Sequence, residues 1–350
     1  MTKIETDTKL DFNNVLIRPK RSVLSSRSHV NINRKIKFLN STKIWDGVPI
    51  IAANMDTTGT FGVYKVLSNN KMITAMNKFY TVDDYNDFLN DKNNVLNPDF
   101  FMVSTGISDN DFVNLKNILS QIECNWICID VANGYMESLV NFCKRVRNEF
   151  PNHIIVAGNV VTREMVEELL LNGKVDVVKV GIGPGSACLT RSQTGVGMPQ
   201  LSAILECSDA AHGIGGHIIG DGGITCPGDL AKAFGGGSDF VMMGGVFAGH
   251  DENPGDVHVD EVTGDKYKLF YGMSSKHAME KHYGAMNNYR SSEGRVIKLK
   301  YKGAMQDTVN NYLGGLRSAC TYINAKNIKE MSKCTTFIKV TSQLNTHLQS

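Results

Sequence analysis

Eight short apolar segments recur along the chain, and their regular spacing narrows the folds that this sequence can adopt. Most of them end in or next to Gly, Asn or Asp. The segments cover residues 49–55, 72–78, 101–106, 126–133, 154–160, 177–183, 217–223 and 240–246. Continuous apolar runs of this length are typical of parallel strands that are buried on both faces. Eight such strands are therefore the first structural prediction from the sequence.

Patterns of helical period lie between these segments. Helices are predicted over residues 109–123, 134–150, 163–171, 199–212 and 227–234. Thr162 can cap the third of them, and the last two open with proline, which is favoured in a first helical turn. Strands that alternate with helices eight times predict a closed (β/α)8 TIM barrel, an α/β fold. An open doubly wound sheet is the alternative, but no GxGxxG sequence follows the first strand.

The whole chain, residues 1–350, is predicted to form a single catalytic domain. Residues 1–47 are expected to be an N-terminal extension with short strands, and the barrel strands to occupy about residues 48–249. Residues 250–342 are expected to supply an active-site flap and the closing helices. Within this last part we predict an exposed hairpin at 249–264, a mobile flap at 289–295 and closing helices at 307–316 and 325–331, around the glycine pair of 314–318.

Charge and composition argue against several classes of partner. The net charge is +2, so no nucleic-acid surface is expected, and no apolar run is long enough to span a membrane. The N-terminal residues do not have the pattern of a secretory signal. The eight cysteines follow no regular pairing pattern, which favours reduced thiols and a cytoplasmic location.

A long loop follows the sixth predicted strand and carries the candidate nucleophile. It contains Cys188, Thr190 and Arg191, and catalytic residues of this barrel lie on loops at the carboxyl ends of strands. A cysteine with no nearby histidine suits attack on an electron-poor ring carbon better than peptide hydrolysis. Thr190 could relay a proton if a stronger group oriented it. Glu293 is the best carboxylate for that task, although on sequence alone a residue in this position is more often a solvated flap residue.

Glycine pairs follow the seventh and eighth predicted strands. They are Gly222–Gly223, preceded by Asp221, and Gly244–Gly245. Loops at these two positions often bind phosphate in this barrel through backbone N–H groups, and Ser186 could add a hydroxyl. Asp221 could accept hydrogen bonds from a ribose. Alternatively, the glycines only terminate the strands and Asp221 caps a turn.

Four ordered motifs carry a resemblance to a known family. They lie at residues 181–191, 221–223, 243–245 and 271–275, and together they resemble the IMP dehydrogenase/GMP reductase family over essentially residues 8–342. Within that family the chain resembles the GMP-reducing branch. It has no inserted regulatory domain, and residues 54–56 read Asn-Met-Asp where dehydrogenases usually have Ser-Pro-Met-Asp. The flap also lacks the Arg-Tyr pair of the dehydrogenases. Leu189, Ser192 and Gln193 depart from the usual pattern of the reductases.

The resemblance implies NADPH-dependent, irreversible reductive deamination of GMP to IMP and ammonia, a reaction of purine salvage. Cys188 would form a covalent thioimidate, and Thr190 and Glu293 would complete the catalytic set. GMP or IMP would be bound by Ser186, Asp221, Gly222, Gly223, Gly244, Gly245, Tyr271, Gly272, Met273, Ser274, Arg290, Ser291, Ser292 and Gly294. The alternatives are IMP oxidation to XMP with NAD, for which the flap is the discriminating feature, and a non-catalytic purine-nucleotide-binding relative.

The resemblance also implies a cofactor site, a cation site and an assembly. NADPH would contact Ser26, Arg27, Lys78, Asp130, Val131, Ala132, Ile182, Gly183, Met273, Tyr289, Arg290, Ser318, Ala319, Cys320 and Thr321. Ser26 and Arg27 would reach the cofactor of a neighbouring subunit in a homotetramer, unless they belong to a solvated basic arm. A monovalent cation, K⁺, would be bound at Gly183, Gly185, Cys188 and Arg191.

Overall fold

The computed structural model describes residues 3–284 and 291–341. Its strands, in chain order, are β1 (Val15–Ile17), β2 (Arg34–Lys37), β3 (Ile44–Gly47), β4 (Ile50–Ala52), β5 (Ile73–Ala75), β6 (Phe101–Thr105), β7 (Trp126–Asp130), β8 (Ile154–Val160), β9 (Val177–Val180), β10 (His217–Asp221), β11 (Phe240–Met243), β12 (His258–Val259), β13 (Lys266–Tyr271), β14 (Val296–Lys300) and β15 (Phe337–Lys339).

The helices surround or extend the barrel. They are α1 (Phe61–Asn69), α2 (Val82–Asn90), α3 (Asp109–Leu119), α4 (Glu137–Glu149), α5 (Arg163–Leu171), α6 (Thr190–Thr194), α7 (Gln200–Gly213), α8 (Pro227–Gly235), α9 (Lys276–Tyr283), α10 (Met305–Ile323) and α11 (Met331–Cys334). All five helices that the sequence predicts between barrel strands are therefore present.

Strands β4 to β11 form a closed barrel in which each strand pairs in parallel with its neighbours. The predicted (β/α)8 TIM barrel is confirmed. The short strands are almost entirely buried, because side chains of one face fill the barrel and those of the other pack against the helices. Closure leaves no strand edge exposed, and it brings the eight carboxyl ends together at one mouth.

Aromatic side chains close the opposite end of the barrel. Trp126 and Phe240 begin β7 and β11, and their ring centroids lie 5.7 Å apart. Trp45 of β3 packs on both of them, with centroid distances of 6.1 Å to Trp126 and 5.2 Å to Phe240. The β2–β3 hairpin of the N-terminal extension thus covers the amino ends of the strands. A ligand site is left to the carboxyl ends.

Helix α10 completes the outer ring, since it packs against α8 and α1. The prediction that the first closing helix ends at residue 316 is wrong, because α10 continues through Gly314 and Gly315 to Ile323. A Cβ at Gly315 would overlap Pro227 of α8. The glycine therefore allows two helices to approach closely and does not interrupt one of them.

The region after the barrel forms an antiparallel sheet of β12, β13 and β14, which leads into α9. The predicted hairpin is present, but it is not wholly exposed: His250 and Asn253 are buried, and Asn253 Nδ2 donates to the Thr57 and Phe247 carbonyls. Thr162 is the N-cap residue of α5, but its side chain makes no capping hydrogen bond. Among the described residues, no helix is both long and apolar enough to cross a membrane.

Candidate active site

A cavity of about 880 Å³ opens at the carboxyl ends of the barrel strands. Most of the predicted site residues line it, although they come from distant parts of the chain. The lining includes Lys78, Asp130, Val131, Ala132, Ile182, Gly183, Gly185, Ser186, Cys188, Thr190, Asp221, Gly222, Gly223, Gly244, Gly245, Gly272, Met273, Ser274 and Glu293. A cavity of this size, with apolar walls and a few convergent polar groups, is typical of a small-molecule site.

Three side chains in this cavity form a continuous hydrogen-bonded chain. The half-buried Cys188 Sγ donates to Thr190 Oγ1 at 3.2 Å, and the Thr190 hydroxyl donates to Glu293 Oε2 at 2.8 Å. The hydroxyl therefore links the thiol to the carboxylate. Proton transfer between sulfur and Glu293 is geometrically possible, as the predicted catalytic set requires.

Backbone contacts hold Glu293 against the cysteine loop. The Leu189 amide donates to the Glu293 carbonyl at 2.6 Å, and the Arg295 amide donates to the Ala187 carbonyl at 3.0 Å. Gly294 also forms an isolated antiparallel bridge with Cys188. Backbone pairing thus fixes the main chain at Glu293, and the hydrogen bond from the Thr190 hydroxyl holds its carboxylate.

Glycines shape a small concave surface beside the cysteine. Gly222 and Gly223 have φ of +89° and +83°, values that side-chain-bearing residues rarely adopt. A Cβ at Gly245 would lie 3.2 Å from Ser186 Oγ, so the serine hydroxyl faces this surface closely. Gly245 also begins a short 3₁₀ helix, Gly245–Phe247. Backbone N–H groups and a hydroxyl suit an anionic group such as phosphate.

A buried lysine lies in the cavity wall between two aspartates. Lys179 Nζ lies 2.6 Å from Asp130 Oδ1 and 3.1 Å from Asp221 Oδ2. Burial opposes the charge on Lys179, but the two carboxylates raise its pKa well above its ordinary value. Burial alone would raise the pKa of Asp130, but the charge of Lys179 outweighs burial, and the pKa of Asp130 is lowered. Sequence reasoning missed Lys179, although a lysine within an apolar strand was a visible signal.

A second cluster fixes the segment after β13. The Tyr271 hydroxyl donates to Asp56 Oδ2 at 2.8 Å, and Lys281 Nζ and His282 Nε2 reach the same oxygen at 2.9 and 2.8 Å. Burial raises the pKa of Asp56, but hydrogen bonds from His282, Lys281 and Tyr271 outweigh it and lower the pKa. Tyr271 is not part of the cavity wall. In this structure Tyr271 positions Met273 and α9 through Asp56.

Several other predicted residues also lie away from the cavity wall. Arg191 Nη1 lies 3.1 Å from Asp11 Oδ2, and its Nη2 donates to the Met198 carbonyl, so this side chain braces the loop from behind. The Ser291 hydroxyl donates to Gln193 Oε1, and the Ser292 hydroxyl donates to the Gly294 carbonyl. Tyr289 and Arg290 lie outside the described residues.

The remaining predicted cofactor residues cluster around a second cavity of about 450 Å³. Arg27 and Ser318 line it together with Arg317 of α10. No residue of the first cavity wall contributes to it. Ser26 caps the short helix Arg27–His29, whereas Ala319, Cys320 and Thr321 lie further along α10 and do not line the cavity.

Fold and site together define a (β/α)8 barrel with a half-buried cysteine, the candidate nucleophile, in the cavity at its mouth. Comparison with known proteins gives a more specific assignment. The family model described as "IMP dehydrogenase / GMP reductase domain" matches residues 9–347. The chain belongs to the IMP dehydrogenase/GMP reductase family.

Curated relatives match almost the whole chain. A protein named "GMP reductase" from Caenorhabditis elegans is 54% identical over 349 residues, covering 99% of this chain and 96% of the relative. "GMP reductase 2" from Homo sapiens is 54% identical over 346 residues, covering 99% and 98%. A "GMP reductase" from Tolumonas auensis is 54% identical over 344 residues, covering 98% of each chain. The sequence identity is thus 54% to each of these three relatives, two from animals and one from a bacterium.

Proposed function

We propose that this protein catalyses the NADPH-dependent reductive deamination of GMP to IMP and ammonia. The full-length similarity to proteins named GMP reductase supports the reaction. The observation that carries the chemistry is the hydrogen-bonded chain from Cys188 through Thr190 to Glu293. These three hydrogen-bonded side chains offer a nucleophile and a proton path at one point of the cavity wall.

The nucleotide would lie across the barrel mouth. Its phosphate would occupy the glycine-lined surface between Gly222–Gly223 and Gly244–Gly245, where Ser186 supplies a hydroxyl. Asp221 lines the same cavity, and its carboxylate can accept hydrogen bonds from ribose hydroxyls. The purine would then extend toward Cys188, with Gly272, Met273 and Ser274 beside the base. The proposed nucleotide site also includes Tyr271, through its contact with Asp56, and the flap residues Arg290, Ser291, Ser292 and Gly294.

The first half of the reaction is carried by this chain's own residues. The Cys188 sulfur bonds to purine C2 while its proton moves through the Thr190 hydroxyl to Glu293. Glu293 then returns a proton to the departing amino group, because an amide anion is not a viable leaving group. The C2–N bond breaks, ammonia leaves, and a thioimidate remains on Cys188.

The bound cofactor supplies a hydride equivalent for the second half. On the protein side, the C2–S bond breaks with its electron pair on sulfur, which regenerates Cys188 and releases IMP. Overall, GMP, NADPH and two protons give IMP, ammonium and NADP⁺. Purine salvage in the cytoplasm is the corresponding physiological proposal.

The cofactor residues fit a nicotinamide dinucleotide by their chemistry. Lys78 and Asp130 line the main cavity, while Arg27, Arg317 and Ser318 give the second cavity two guanidinium groups and a hydroxyl, which suit phosphate. Because the two cavities share no wall, we propose that the cofactor spans two subunits and that the assembly is a homotetramer.

A monovalent cation would be held by backbone carbonyls of the cysteine loop. We assign Gly183, Gly185 and Cys188 to this K⁺ site, together with Arg191. The Gly185 carbonyl already accepts from the Cys188 amide at 3.0 Å, and its second lone pair is free in principle for a cation. Since the Arg191 guanidinium faces Asp11, this residue would contribute only its carbonyl.

The test is a spectrophotometric assay with product identification. With GMP, the purified protein should consume NADPH and yield IMP and ammonia in equal amounts, and Cys188→Ala should abolish turnover while GMP still binds. Formation of XMP from IMP and NAD, with GMP ignored, would replace the proposal by dehydrogenase activity. GMP binding without any turnover would indicate a non-catalytic relative.

A further inference from the structure

Lys179 is a charged side chain in the centre of the barrel sheet. The other residues of β9 are valines, and the Lys179 side chain is only 3% exposed. Burying an ammonium group is unfavourable unless it is paired and hydrogen-bonded. The lysine therefore carries a desolvation cost that an apolar residue would not carry, and its partners show what it does there.

Both partners face the ligand cavity. Asp130 ends β7 and Asp221 ends β10, and both carboxylates line the cavity wall. Under the proposed function, Asp130 belongs to the cofactor site and Asp221 to the nucleotide site. One ammonium group thus pairs with a carboxylate of each site, at 2.6 and 3.1 Å.

Each carboxylate also has a partner that the other does not share. Asn54 Nδ2 donates to Asp130 Oδ2 at 3.0 Å. Asn159 Nδ2 donates to Asp221 Oδ2 at 2.8 Å. The network therefore runs from Asn54 through Asp130, Lys179 and Asp221 to Asn159, with the lysine at its midpoint. The two asparagines allow each half to be perturbed separately.

We propose that Lys179 is a positioning residue shared by the nucleotide and cofactor sites, and that its ammonium group holds and orients the carboxylates of Asp130 and Asp221 at once. This inference rests on the proposed function for the identity of the two ligands. In this scheme Lys179, which also lines the cavity, acts through the two aspartates.

The charge of Lys179 is what this role needs. Without it, the two carboxylates would lose the counter-charge that they share and would repel each other. Each carboxylate would then turn away from the position in which it can accept hydrogen bonds from a ligand. Because burial is outweighed by the two aspartates and the pKa of Lys179 is raised, the lysine stays charged and does not shuttle protons.

The experiment measures the dissociation constants of GMP alone and of NADPH alone by calorimetry at pH 8. Wild type is compared with Lys179→Met, Asn54→Ala and Asn159→Ala. Lys268→Met is the matched control, since Lys268 is also buried but donates to the Asn253 carbonyl and does not line the cavity.

Lys179→Met should weaken both ligands by about tenfold or more at pH 8. Asn54→Ala should weaken mainly NADPH, Asn159→Ala mainly GMP, and Lys268→Met neither. A purely structural role of Lys179 would not produce this division of the two effects between the two asparagine variants.

The inference is overturned if folded Lys179→Met binds both ligands as wild type does, or loses affinity for only one of them. If Lys179→Met does not fold, Lys179→Arg carries the test, since it keeps the charge. Its two affinities should be retained or lost together, and loss of one alone contradicts a shared role. Failure of wild type to bind GMP or NADPH would instead refute the proposed function.

Discussion

Replacement of Thr190 by valine removes the hydroxyl oxygen that links the side chains of Cys188 and Glu293. The hydroxyl accepts from Cys188 Sγ at 3.2 Å and donates to Glu293 Oε2 at 2.8 Å. Valine keeps the branched shape but has no oxygen, so both hydrogen bonds are lost while the packing volume is conserved. The substitution therefore interrupts the proton path and leaves the nucleophile and the carboxylate in place.

The expected magnitude follows from the role of that path. General acid–base catalysis contributes about 10²- to 10⁴-fold, so Thr190→Val should slow GMP reduction by at least about a hundredfold, or about 2.7 kcal/mol in the barrier. Thr190 is not part of the glycine-lined phosphate surface. The dissociation constant for GMP should therefore stay within about threefold of wild type, and the loss should fall on kcat.

Steady-state NADPH consumption with GMP measures the rate, and calorimetry measures GMP affinity. Thr190→Ser is the matched control because it keeps the hydroxyl, and it should retain activity within about tenfold of wild type. A Thr190→Val rate within about fivefold of wild type would refute the relay. Equal losses in the serine and valine variants would show that packing, rather than the hydroxyl, is what matters.

Three further substitutions test separate parts of the structure. Glu293→Gln should slow GMP reduction at least about a hundredfold in steady state and slow NADPH formation from IMP and NADP⁺ in a single turnover by less, since ammonia departure needs a further proton transfer from Glu293; equal loss in both assays would indicate a structural role. Gly244→Asp should raise the GMP dissociation constant steeply in a binding titration, because it places a carboxylate beside the phosphate; unchanged affinity would put the phosphate elsewhere. His217 Nδ1 lies 3.3 Å from buried Asp239, which outweighs burial and raises the His217 pKa. The stabilisation from this ion pair is complete below about pH 6.5, the pKa of an unfolded histidine, and disappears as the pH rises through the higher pKa of the folded state. His217→Gln should therefore reduce the free energy of unfolding in urea more at pH 6 than at pH 9. An equal reduction at the two pH values would contradict this.

Most of the fold could be predicted from the sequence because its main signal is local. A strand buried on both faces is apolar along its length whichever strands it pairs with, so the eight segments were visible one at a time. The course of α10 was not, because Gly315 serves a contact with Pro227, far away in the chain. The sequence shows the glycine but not the helix that approaches it.

The site was predictable in its nucleophile and less so in its supporting contacts. Cys188 and Thr190 lie in one loop, and Glu293 was a candidate by its flap position. The Lys179 network and the Asp56 cluster join residues from widely separated segments, and no spacing rule links them. The lysine within an apolar strand and the aspartate after the first strand were the signals, but their partners emerge only from barrel closure.

The most direct test of the central claim is to trap the bond between Cys188 and the purine. The protein is mixed with IMP and NADP⁺, quenched in acid within the first turnover, and examined by intact-protein and peptide mass spectrometry. We predict a gain equal to the mass of IMP less two hydrogens, located on the peptide that contains Cys188 and missing from Cys188→Ala. An unmodified Cys188 under conditions in which NADPH is formed, or an adduct on another residue, would contradict the covalent mechanism.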